Sequence, residues 1–167
     1  GIRKPYIALF RRALTRGSVE REFMLAELDL TSVETLVEAL ARPQPSEVIA
    51  AMNVLFERKR ARLIPALILL HSDEGVLLRA LELFGPSGRK DWYSLAERQF
   101  DNGTPRVQQA VVRAFALAGE KDVLLRISQQ GSPSVRTFAA LYLAQLEGET
   151  MSGDPLGWEL FASDDAE

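Results

Sequence analysis

Two stretches 28 residues apart constrain this chain more than any other feature: GTPRVQQAVVRAFALAG at 103–119 and GSPSVRTFAALYLA at 131–144. Each opens with glycine, a hydroxyl residue and proline, and then, two places on, valine. The glycine ends the preceding segment, and the hydroxyl of Thr104 or Ser132 can accept a bond from a free first-turn N–H. Pro105 or Pro133 takes the first helical position, where no N–H is needed. After Val135 the residues Phe138, Ala139, Tyr142, Leu143 and Leu146 return at steps of three and four. That spacing predicts a helix to about Glu147, ended by Gly148, with Arg136, Thr137 and Gln145 turned outward.

The frame extends further back. Val76 holds the valine place in SDEGVLLRALELFG (72–85) and Val48 holds it in PSEVIAAMNVLFERK (45–59), while Ala80, Val111 and Ala139 align four residues later. Each of these helices follows a shorter segment that also reads as a helix: SVETLVEALA (32–41), LIPALILL (63–70), DWYSLAERQF (91–100) and DVLLRISQQ (122–130). Thr31 with Glu34 reads as a capping box, Asp91 and Asp122 as N-caps, and Pro65 as a first-turn proline. Links this short join antiparallel neighbours, and the apolar faces are buried only if successive pairs stack. The expected architecture is all-α, an α-solenoid with a period of about 30 residues.

Residues 1–30 read as an N-terminal cap or partial repeat, with helices over 5–16 and 18–28, and residues 31–150 as four repeats of one domain. Residues 151–167 form an acidic tail whose Leu156, Trp158, Leu160 and Phe161 either fold over the last pair or serve as a partner-binding peptide.

Charge is uneven along the chain. The net charge is −3, yet residues 1–21 carry six basic side chains and one acidic, and residues 147–167 carry seven acidic and none basic. A solvated basic end and a basic arm for phosphate groups are both compatible with that pattern. The chain has no cysteine, which removes disulfides and thiolate chemistry and fits a reducing compartment. No apolar run reaches the roughly 18–20 residues that span a bilayer, and the first residues lack a signal-peptide pattern. A cytoplasmic protein or cytoplasmic fragment is expected.

TPRVQQAVVRAFA and SPSVRTFAALYLA resemble the second-helix pattern of short bacterial HEAT repeats: a turn residue or Pro, then Val-Arg, then Ala four residues after the Val. The resemblance covers about residues 32–147. It implies a right-handed α-solenoid of about four HEAT-like helix pairs with an N-terminal helical cap. The order YIALFRRALTRG followed by LAELDLTSVETLVEALARPQPSEVIAAMNVLFERKRARLIPALILLHSDEGVLLRALELF is also similar to the soluble HEAT region of bacterial multidomain proteins related to the ATP/ADP translocases. That second resemblance implies the cytoplasmic part of an inner-membrane protein.

Catalytic constellations are not evident. His71 is the sole histidine and stands in a turn before a helix, where turn polarity or capping explains it, and no metal or other cofactor is expected. Ser32, Ser46, Ser72 and Ser132 stand at helix starts and read as caps. GPSGRK (85–90) lacks the strand and the Lys-Ser/Thr ending of a phosphate loop and reads as a flexible linker. Trp92 and Tyr93 with Asp91 and Asp101 raise one enzymatic alternative, a HEAT-like DNA glycosylase or nucleic-acid binder. The acidic balance of the chain runs against it.

The remaining candidate is a surface. HEAT solenoids are lined on the concave side by their second helices, and here those carry Arg79, Glu82, Arg106, Gln108, Gln109, Arg113 and Arg136. Arginine pairs well with carboxylates and is enriched at interfaces. Arg106 and Arg136 have a second reading, as bridges between neighbouring repeats. The expected function is a non-enzymatic protein-interaction or scaffold module whose partner is another protein or a neighbouring domain of the same polypeptide. Nucleic acid and direct membrane insertion are not expected.

Overall fold

The computed structural model of the protein describes residues 30–152, with side chains to 149. The helices expected over 5–16 and 18–28 and the apolar residues of the tail lie outside the described residues. The described part is all-helical, and no helix in it is long and apolar enough to cross a membrane. After Ile64 the chain divides into two compact units.

The first unit contains α1 (30–39), α2 (Pro45–Glu57) and a 3-10 turn, Ala61–Leu63, that packs on α2. Val48, Ala51, Met52 and Leu55 form the buried stripe of α2. Thr31 lies inside α1 and its carbonyl accepts from Thr35 Oγ1, so the expected capping box does not form. Ser32 and Ser46 are likewise inside helices.

The second unit contains a 3-10 turn (Ala66–Leu70) followed by α3 (Glu74–Phe84), α4 (Tyr93–Asn102), α5 (Pro105–Leu117), α6 (Lys121–Gln130) and α7 (Pro133–Ser152). Here α5 packs against α3, α4, α6 and α7, and the 66–70 turn packs against α3 and α4. The aligned positions of the repeat are the inward ones. Val76, Val107 and Val135 are buried, and so are Ala80, Val111 and Ala139.

LIPALILL is not an α-helix, and after Pro65 only the 3-10 turn Ala66–Leu70 forms. Ile64 is extended, as steric conflict with a following proline ring favours, and Pro65 is extended as well (ψ 145°). The five residues that remain close only 3-10 bonds, Ile68 N–H to Pro65 and His71 N–H to Ile68, before His71 is extended again. Three caps also move. Asp73, not Ser72, caps α3, accepting from Val76 N–H at 3.0 Å. Asp91 stands two residues ahead of α4 and binds Arg89 instead. Asp122 lies within the first turn of α6, where a carboxylate suits the positive end of the helix dipole. Thr104 and Ser132 do cap, accepting from Val107 and Val135 N–H. Gly148 does not end α7, which continues to Ser152.

The linker GPSGRK is ordered by its own bonds. Gly85 continues from α3 into a 3-10 turn, and a Cβ there would stand 3.1 Å from Ala114 Cα, so glycine permits the close approach of α3 and α5. Ser87 Oγ donates to the Phe84 carbonyl and accepts from Arg89 N–H, while Gly88 supplies the left-handed residue (φ 75°).

Candidate functional site

The aromatic cluster proves to be core. Trp92 is fully buried, its indole N–H donates to the Arg89 carbonyl at 2.9 Å, and its ring packs on Phe84, Tyr93 and Phe115. Arg89 grips Asp91 with two bonds, Nε to Oδ1 at 3.0 Å and Nη2 to Oδ2 at 2.7 Å, and lays its guanidinium over Phe84. The hydrogen bond from Arg89 holds the Asp91 carboxyl below the usual carboxylate range. Tyr93 donates to Glu120 Oε1 at 3.0 Å, and partial burial together with that carboxylate pushes its phenol up. A Trp92 held on three sides cannot stack on a nucleobase without unpacking the core, so the geometry does not favour the glycosylase alternative.

His71 is explained as a turn residue: its Nδ1 accepts from Asp73 N–H at 3.0 Å, which holds the start of α3. No three His, Cys, Asp or Glu side chains among the described residues are placed to hold a metal ion.

The arginines lie at unequal places in the repeat frame. Counted from the aligned valines, Arg79 is three residues on, Arg113 six on and Arg106 one before, which puts them on one flank of their helices together with Glu82. Arg136, one residue after its valine, is on the opposite flank of α7. Arg79 Nη1 pairs with Glu82 Oε2 on its own helix at 2.8 Å. Arg106, 77% exposed, reaches Glu74 on α3 at 4.0 Å, and Thr104 Oγ1 donates to the same carboxylate at 3.1 Å. Gln109 is half-buried, while Arg113 and Arg136 are exposed. The structure therefore gathers Arg79, Glu82, Arg106 and Arg113 on the neighbouring helices α3 and α5, and sets Arg136 apart from them.

The Arg106–Glu74 pair agrees with the bridging reading of that arginine, but a further polar set was not anticipated. Gln99 Nε2 donates to the Leu69 carbonyl, Thr104 to Glu74, Tyr93 to Glu120, and Arg126 Nη2 to Glu97 Oε1 at 3.2 Å. The partners are 27–30 residues apart, one repeat length. The sequence does contain this signal, since donors and carboxylates recur at that spacing, but capping and helix periodicity do not search for it. These bonds tie segments one sequence period apart, while Arg106, Arg113 and Arg136 are exposed.

Comparison with known proteins finds no match to a protein-family model, a curated protein or a solved structure.

Proposed function

We propose that this protein is a non-enzymatic protein-interaction or scaffold module, built as a short α-solenoid of HEAT-like helix pairs, whose α3 and α5 present Arg79, Arg106 and Arg113 to an acidic or helical segment of a partner or a neighbouring domain. The observation that carries the reading is the contrast between the two kinds of charge in the second unit. The carboxylates Glu74, Glu97 and Glu120 are engaged with partners one sequence period away, whereas Arg113 is exposed on α5. The repeated burial of Val76, Val107 and Val135, and the way α5 touches the helices on both sides of it, support the solenoid form. Arg136 serves a different contact.

The reading is tested by titrating the full chain and its Arg106→Glu, Arg113→Glu double variant with an acidic helical peptide and with duplex DNA across a salt series. The expected result is peptide binding that the double variant loses while its urea midpoint stays within about 0.5 kcal/mol of the parent. Tighter, steeply salt-dependent binding of DNA would favour the nucleic-acid alternative instead.

A further inference from the structure

Helices α2 and α5 end in the same backbone motif, with one difference. At the end of α5 the N–H groups of Ala118, Gly119 and Glu120 donate to the Ala114, Ala116 and Phe115 carbonyls, each at 3.0 Å. At the end of α2 those of Arg58, Lys59 and Arg60 donate to Val54, Phe56 and Leu55 in the same pattern, at 3.0, 2.9 and 2.7 Å. This reversal satisfies the last carbonyls of a helix and needs a left-handed residue at its centre. Glycine adopts that conformation freely, whereas another L residue brings its Cβ against a carbonyl oxygen. Gly119 meets the need at φ 73°, but α2 holds Lys59 there at φ 59°. Among the described residues Lys59 is the only one other than glycine with a positive φ. It stands within four cations in five residues, Arg58, Lys59, Arg60 and Arg62, all exposed. A cation for the negative end of the helix dipole is already supplied by Arg58, at an ordinary φ of −82°, so the dipole does not account for the lysine. A side chain retained against backbone strain points to a role outside the fold. The run is also flanked by apolar side chains in contact with water: Phe56 is 50% exposed and Leu63 38%.

We infer that this turn docks on an anionic lipid surface, with its four cations among the head groups and Phe56 and Leu63 at the boundary with the acyl chains. Charge complementarity selects an anionic partner, since each clustered Lys or Arg is attracted by such a surface. The aliphatic Leu63 selects lipid over nucleic acid, whose bases favour aromatic stacking and whose phosphates border no apolar layer. The contact is peripheral, because no helix among the described residues is long and apolar enough to cross a membrane. It lies wholly within the first unit and does not depend on the proposed role of α3 and α5.

The test uses the full chain with vesicles of mixed phosphatidylserine and phosphatidylcholine, with vesicles of phosphatidylcholine alone, and with duplex DNA at the same ionic strength. The expected result is sedimentation with the anionic vesicles only, weakened about fivefold by Lys59→Gly and by a similar factor by Arg62→Gln. Lys59→Gly should at the same time unfold at the temperature of the parent or above it, because glycine relieves the left-handed residue. A lysine with only a structural role cannot give weaker binding together with undiminished stability. Four results overturn the proposal. One is no sedimentation with the anionic vesicles. Another is a lower unfolding temperature for Lys59→Gly, which would make the lysine part of the fold. The third is vesicle binding that both variants keep in full, which would assign it to the basic residues of 1–21. The last is DNA binding tighter than vesicle binding and weakened by both variants, which would make the turn a nucleic-acid contact.

Discussion

Helices α5 and α7 start with the same device and end in different surroundings. Both are capped by a hydroxyl residue ahead of a proline, and both turn an aligned valine inward. Yet α5 buries Val107, Val111, Val112, Ala114, Phe115 and Ala116, while α7 buries only Val135 and Ala139 among its described side chains. The difference follows from neighbours: among the described elements α5 packs against α3, α4, α6 and α7, whereas the main contacts of α7 are with α5 and α6. At the same step of the frame, six residues after the valine, α5 carries Arg113 and α7 carries Leu141. Local sequence fixes a helix and its inward row, and the number of neighbours decides how much of the rest is buried.

The largest expected effect separates the two helices by their aromatic residues. Phe115→Ala should cost about 3–5 kcal/mol, since its ring packs on Trp92 and Tyr93 in a closed core. Phe138→Ala should cost about 1 kcal/mol or less if its exposed edge stays wet. Urea unfolding of both variants checks this, and a Phe138 cost close to that of Phe115 would show that α7 is covered. The glycines give the next contrast. Gly85→Ala forces a Cβ against Ala114 and should destabilise by about 1–3 kcal/mol, whereas Gly148→Ala has open space inside a helix and should stabilise by about 0.5–1 kcal/mol. Opposite signs in thermal unfolding are the test.

The legibility of the fold divides along the same line. The starts of α5 and α7 were readable because Thr104-Pro105 and Ser132-Pro133 act within one turn, and the valine frame was readable because burial of one face repeats with the helix period. LIPALILL misled because its apolar content suits a helix while the Ile64-Pro65 step forbids continuity, a conflict that backbone sterics decides. Asp91 looked like a cap until Arg89, two residues away, offered a stronger charge-assisted partner. The candidate site was legible as residue types only. Arg79, Arg106 and Arg113 share a flank, but Arg136 does not, and Glu74 and Glu97 entered through contacts one repeat away that no local pattern marks.

The caps sharpen the comparison at smaller scale. Thr104→Ala and Ser132→Ala should each cost about 1 kcal/mol. The Thr104 change should be the larger, because its hydroxyl also donates to Glu74 and holds α3 to α5. Equal losses in paired urea titrations would mean that the link to Glu74 contributes nothing.

The smallest effect is a pH dependence confined to the surroundings of α5. Tyr93 packs on Phe115, and its phenol is pushed above its usual value by partial burial and by Glu120. The folded protein therefore holds the phenolic proton more tightly than the unfolded chain. The associated stability is present in full below about pH 10, the unfolded tyrosine value, and is lost as pH rises through the higher folded value. Lysines also titrate in that range, so the difference between parent and Tyr93→Phe is the informative quantity. It should be steady up to about pH 9 and shrink above it, because the phenylalanine variant has no proton to release there. A difference that stays flat through pH 10 and above would mean that folding does not raise the phenol and that the Glu120 bond does not form. In that case one of the contacts spanning a repeat length around α5 would be lost, and α5 would resemble α7 more closely than its burial indicates.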